Sequence, residues 1–136
     1  MAHDTKIAVV IRKDLPEWQK LNVTAFLASG IAASAPEAIG EDYADASGVT
    51  YLPLFGQPVL VFGATPEELT RTRERAVRRD VPVAVYTSEM FGTGNDADNR
   101  AVVAAVTSDD LDLVGVAVHA RRTVVDKICK GLALHP

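Results

Sequence analysis

Four short blocks of this chain are apolar at nearly every position: residues 7–11, 59–62, 82–87 and 113–118. A half-solvated strand would alternate apolar and polar, so unbroken blocks predict strands covered on both faces. Between them lie helix signals. Thr65-Pro66-Glu67-Glu68 offers a threonine cap, a proline at the first helical position and a glutamate to complete the box, opening a helix to about Arg79. Asp14-Leu15-Pro16-Glu17 reads as another entry, with Asp14 as cap and Glu17 answering it, and that helix runs to about Ala35, before Pro36. A third helix is expected from Asp96, itself the N-cap, to about Val106. The last carries Val124, Val125, Ile128, Cys129 and Leu132 on one stripe and ends near Gly131. Residues 38–58 form the long irregular connection, with a turn at Asp45-Ala46-Ser47-Gly48 and a short strand at 49–52. Strands alternating with helices imply an α/β sandwich of three layers with helices on both faces of the sheet. No repeat or linker divides residues 1–136, so a single domain is expected.

Residues 20–33 stand apart, because they carry one charge, Lys20, at the start. A helix with so little solvated face must be buried or paired, and pairing across a symmetric dimer makes a homodimer the expected assembly. Its polar groups Lys20, Asn22 and Thr24 gather at the entrance end.

Composition removes several classes of function. At 136 residues, 48% hydrophobic and 24% charged, the chain can bury a core without staples. The net charge of −4 supplies no global cationic field for nucleic acid or membranes. The single cysteine, Cys129, forbids an internal disulfide and has no metal-ligand partner in spacing, and no cofactor motif is present. No apolar run reaches membrane-spanning length and no leader precedes the first strand, so a cytoplasmic protein is expected. Cys129, on a face of Val and Ile, reads as core filler.

Candidate chemistry is sparse. Arg71, Arg75 and Arg78 fall on one helix face and would suit phosphates, although the interspersed Glu67, Glu68 and Glu74 make a solvated charged face the simpler reading. The loop 92–96 precedes a helix N-terminus, but Asp96 and Asp98 would repel an anion there. His119 ends a strand without a Ser or Cys partner at motif spacing, and His3 and His135 lie near the termini. Glu89 leaves the third strand at its carboxyl end, where ligands of open α/β sheets gather. Lys20, close to the end of the first strand, could hold an anionic or carbonyl group. The resulting expectation is a cleft lined by Lys20, Asn22, Thr24, Glu89 and Thr93, binding a small or nucleotide-like ligand. Lys20 and Glu89 are the catalytic candidates if any reaction occurs.

Five stretches resemble a bacterial family called domain of unknown function 2000: residues 18–30, 45–48, 57–58, 86–94 and 125–132. More distantly, the order of elements is similar to the type II peptidyl-tRNA hydrolase fold, which implies a mixed four-stranded sheet between helices. In that resemblance Lys20 matches the hydrolases' first-helix lysine, while Thr24, Ala25 and Leu27 stand where their Gln, Cys and His fall. Ser88 takes the place of their Asp with Glu89 adjacent, and Gly92 or Thr93 covers their Thr. The resemblance implies, as alternatives, a divergent peptidyl-tRNA hydrolase in which Lys20 holds RNA or an ester oxygen, Glu89 is the acid and the arginine stripe contacts phosphate. A non-enzymatic, self-associating module is the third expectation.

Overall fold

The computed structural model describes residues 3–136. In chain order the elements are β1 (Thr5–Arg12), α1 (Glu17–Ser34), β2 (Tyr43–Ala44), β3 (Thr50–Tyr51), β4 (Val59–Ala64), α2 (Pro66–Arg78), β5 (Val83–Thr87), α3 (Asp96–Ala104), β6 (Leu113–Arg121), α4 (Arg122–Ile128) and β7 (Ala133–Leu134). Residues 7–11 of β1 are all buried, as an unbroken apolar block requires. Ile7, Val9 and Ile11 meet Val23, Leu27 and Ile31 of α1, whereas Ala8 and Val10 meet Leu69 and Ala76 of α2 with Val125 and Ile128 of α4. Three layers result, with β1 at the centre.

The main sheet runs β5-β6-β1-β4-β7, and only β1 and β4 are parallel. It is therefore mixed, with five strands where four were expected. The additional strand follows from an early stop: α4 ends at Ile128, and Gly131, at φ +90°, turns the chain so that Ala133 and Leu134 pair with Gly63 and Phe62. Leu132 thus lies beyond the helix whose stripe it was expected to join. The second sheet, β2–β3, joins Tyr43 to Tyr51 across a turn in which Asp45 Oδ1 accepts from the Ser47 and Val49 amides.

The Thr65 box forms as read, with Thr65 and Glu68 each bonding the other's amide. Two other caps differ. Asp14 does not cap α1, because Arg12 Nε donates to its Oδ1 at 2.7 Å, and the helix starts from Pro16 with no side-chain cap. Asn95, not Asp96, caps α3: its Oδ1 accepts from Asp98 N at 2.9 Å, while Asp96 pairs with Arg100. Among the described residues, no helix is long and apolar enough to cross a membrane.

α1 packs over β6, β1 and β5. Its inner row is buried, but Trp18 is 63% exposed, Leu21 68% and Phe26 51%. The fold of one chain therefore leaves the other side of this nearly uncharged helix in solvent.

Candidate functional site

Trp18, Asn22 and Phe26 recur every four residues, so they share one flank of α1. That flank faces the carboxyl end of β5, where a 3-10 turn, Ser88–Gly92, brings up Met90 and Phe91 beside Tyr86. The rings meet at angles: Trp18 and Phe91 have centroids 6.2 Å apart, Phe26 and Tyr86 5.6 Å, Tyr86 and Phe91 5.1 Å. Edge contacts of this kind fix aromatic side chains beyond simple area burial.

Opposite the rings, Thr93 to Asp96 and Asn99 close a cavity of about 340 Å³. Phe26, Met90, Asp96 and Asn99 also wall an adjoining hollow of about 470 Å³ along α3. The Thr93 hydroxyl is held between the Asn99 side-chain oxygen and the Met90 carbonyl. That contact leaves the Asn99 NH₂ as a donor, and the Asn22 amide has no hydrogen-bond partner among the described residues. Asn95 is committed to capping and Asp96 to Arg100. No lysine or arginine lines the 340 Å³ cavity. The arrangement can stack a flat apolar face and offer amides to its edge.

Of the five residues expected in one cleft, the structure brings Asn22 and Thr93 together here. Lys20 and Thr24 sit on α1's other flank, because two helical steps turn a side chain by about 200°. The Lys20 amine lies 3.2 Å from His135 Nε2, in a separate hollow of about 300 Å³ with Lys13 and Gly63. An ammonium only donates, so Nε2 accepts and Nδ1–H faces the Pro136 carbonyl oxygen at 2.9 Å. Thr24 donates to the Lys20 carbonyl at 2.7 Å. Glu89 is exposed on the 3-10 turn and lines neither hollow. The structure therefore does not bring Lys20 and Glu89 together in either of these hollows.

The other candidates have structural occupations. Arg75 Nη1 donates to the Lys130 carbonyl at 2.9 Å, so the arginine stripe is not three free guanidinium groups. Thr5 donates to Gln57 Oε1 and accepts from His119 Nε2–H at 3.1 Å, a latch at the far end of the sheet. Cys129 is buried, and desolvation pushes its thiol up to about 11. Among the described residues no three His, Cys, Asp or Glu side chains are placed to hold a metal ion. The rings of Trp18, Phe26, Tyr86 and Phe91 and the Asn99 amide were missed in the sequence. For Trp18 and Phe26 the signal was the four-residue spacing on α1, hidden by an expectation of burial, whereas Tyr86, Phe91 and Asn99 lie on other elements and had no such local signal.

Comparisons with known proteins agree with this picture of the fold. The family model described as protein of unknown function (DUF2000) matches residues 5–136. No curated protein matches the chain significantly. A solved structure of a protein of unknown function from Agrobacterium tumefaciens strain C58 is 49% identical, with a TM-score of 0.96, and the match covers 99% of this chain and 100% of that one.

Proposed function

The chain belongs to the family of unknown function DUF2000, and from its own site we propose that it binds a small, planar, uncharged molecule, of the kind a nucleobase or nucleoside presents, between α1 and α3. One observation carries the reading: four mutually packed aromatic rings face two amides with free hydrogen-bonding capacity in a single cavity. Its volume of about 340 Å³ falls within the range of small-molecule sites, which are typically aromatic-lined with a few polar groups. Among the described residues no lysine or arginine lines the cavity to neutralise a phosphate, and its one carboxylate, Asp96, is already paired with Arg100. This narrows the nucleotide-like expectation to the base end of such a ligand. No turnover is part of the proposal.

Trp18 is the chain's one tryptophan and forms part of the wall, so its emission reports occupancy. The test titrates bases, nucleosides and their phosphates while following Trp18 fluorescence and melting temperature. Saturation at a hundred times Kd stabilises the fold by about 2.7 kcal/mol. The expected result is a shift with a base or nucleoside that Asn99→Ala and Phe91→Ala reduce, each read against the variant's own baseline, and that Lys20→Ala and Glu89→Ala leave intact. A flat response across the whole panel, or a shift lost only in Lys20→Ala, overturns the reading.

A further inference from the structure

From Glu41 to Leu52 every residue is exposed, although Tyr43, Val49, Tyr51 and Leu52 are large and apolar. This segment is an arm: it leaves the C-terminal end of α1 through Pro36–Ala38 and returns at β4. Its base is tied down, since Gly40 N donates to the Leu54 carbonyl and Gly56 N to the Ala38 carbonyl, both at 2.8 Å. Its tip is held by Asp45, which also accepts from the Tyr51 hydroxyl at 2.6 Å. A two-stranded ribbon of this size is marginal in water without something to pack on, and among the described residues nothing buries any part of it.

The outer side of α1 has the complementary deficiency. No charged residue occurs between Leu21 and Ser34. The hydroxyls of Thr24 and Ser29 are turned back onto the helix's own carbonyls, Lys20 and Phe26. That leaves an apolar surface with Leu21 and Phe26 standing out of it.

We propose that the arm of one protomer packs on the outer face of α1 of a second copy of this chain, in a twofold dimer with the two α1 helices antiparallel. Three arguments select this occupant. Trp18, Leu21, Phe26, Tyr43, Tyr51, Leu52 and Leu54 are each more than half exposed. At about 200 Å² for a large side chain they present on the order of 900 Å², against about 800 Å² per partner in a standard interface. Secondly, the helix and the arm belong to the same chain, so a twofold axis satisfies both deficiencies twice with one contact. Thirdly, the arm carries Glu41, Asp42 and Asp45, and residues 38–58 contain no Lys or Arg. Arms meeting each other would oppose like charges. Antiparallel helices instead hold the two acidic arms at opposite ends of the contact, each at the N-terminal end of the partner's α1.

The test is mass in solution by light scattering at about 100 µM, well above the Kd of ordinary specific interfaces. Wild type is expected at twice the 14.5 kDa chain mass. Leu21→Arg on the helix and Leu52→Glu on the arm are each expected at the chain mass, with circular dichroism spectra like wild type because both sites are exposed. Mixing the two variants is expected to restore the dimer, since one interface gains an opposite-charge pair and the other is unchanged. A monomeric wild type overturns the proposal, as does a dimer that survives both substitutions or a mixture that stays monomeric. Trp18 and Phe26 belong to both surfaces, but none of these readouts depends on a ligand, so failure of the dimer is distinguishable from failure of the cleft reading.

Discussion

Cys129 is 6% exposed at the end of α4, and burial lifts its thiol from the ordinary 9.0 to about 11. In the unfolded chain the thiol loses its proton first as pH rises, while the folded chain must keep it. The stability this supplies is complete below pH 9, falls from there, and is gone once pH passes the folded value near 11. At about 1.36 kcal/mol per unit the loss is on the order of 2–3 kcal/mol. Urea unfolding at pH 9, 10 and 11 checks it: Cys129→Ala should lower stability at pH 9 yet flatten the decline above. An equally steep decline in both proteins would show that other groups cause it. Core filler was legible here because a lone cysteine among Val and Ile has few other roles. Lys20 was not, since its neighbour His135 is 115 residues away in sequence and no local pattern announces that approach.

Gly115 carries the contact between an element and its neighbour. A Cβ built there would lie 2.7 Å from Val23 Cγ1, 2.9 Å from Leu27 Cδ1 and 3.3 Å from Ile11 Cδ1, so α1 rests directly on the backbone of β6. Gly115→Ala should therefore push α1 off the sheet and destabilise by about 1–3 kcal/mol, the usual range for overpacking. Gly92→Ala, with nothing within 4 Å of its added Cβ, is the control and should stay within about 0.5 kcal/mol. A urea midpoint for Gly115→Ala equal to wild type would mean the helix gives way freely. In the sequence Gly115 is only a break in an apolar block, because its reason lies across the layer interface. The elements themselves were legible where local chemistry has one outcome, as at Thr65-Pro66-Glu67-Glu68. They were misread where an alternative partner competes: Arg12 claims Asp14, and Asn95 claims the cap from Asp96.

At the scale of the molecule, the burial pattern prescribed covered strands and three layers but not their number, since β7 is two residues long and exists only because Gly131 turns the chain. The cleft was half legible for a related reason. Asn22 and Thr93 were placed in it by position at strand and helix ends, whereas the assignment of Lys20 and Thr24 ignored the angular step of the helix. The uncharged stretch of α1 was read as buried or paired, and its exposed outer side leaves pairing as the proposed resolution. Pairing has a thermodynamic signature that needs no variant. When a dimer unfolds to two separate chains, its midpoint depends on concentration, and each tenfold increase adds about 1.4 kcal/mol per dimer. With an unfolding entropy of about 2.1 cal/mol/K per residue over two chains of 136 residues, the melting temperature should climb by about 2–3 °C per tenfold. Melts across two decades should therefore separate by about 5 °C for wild type and coincide for Leu21→Arg, whose outer α1 face can no longer receive an apolar arm.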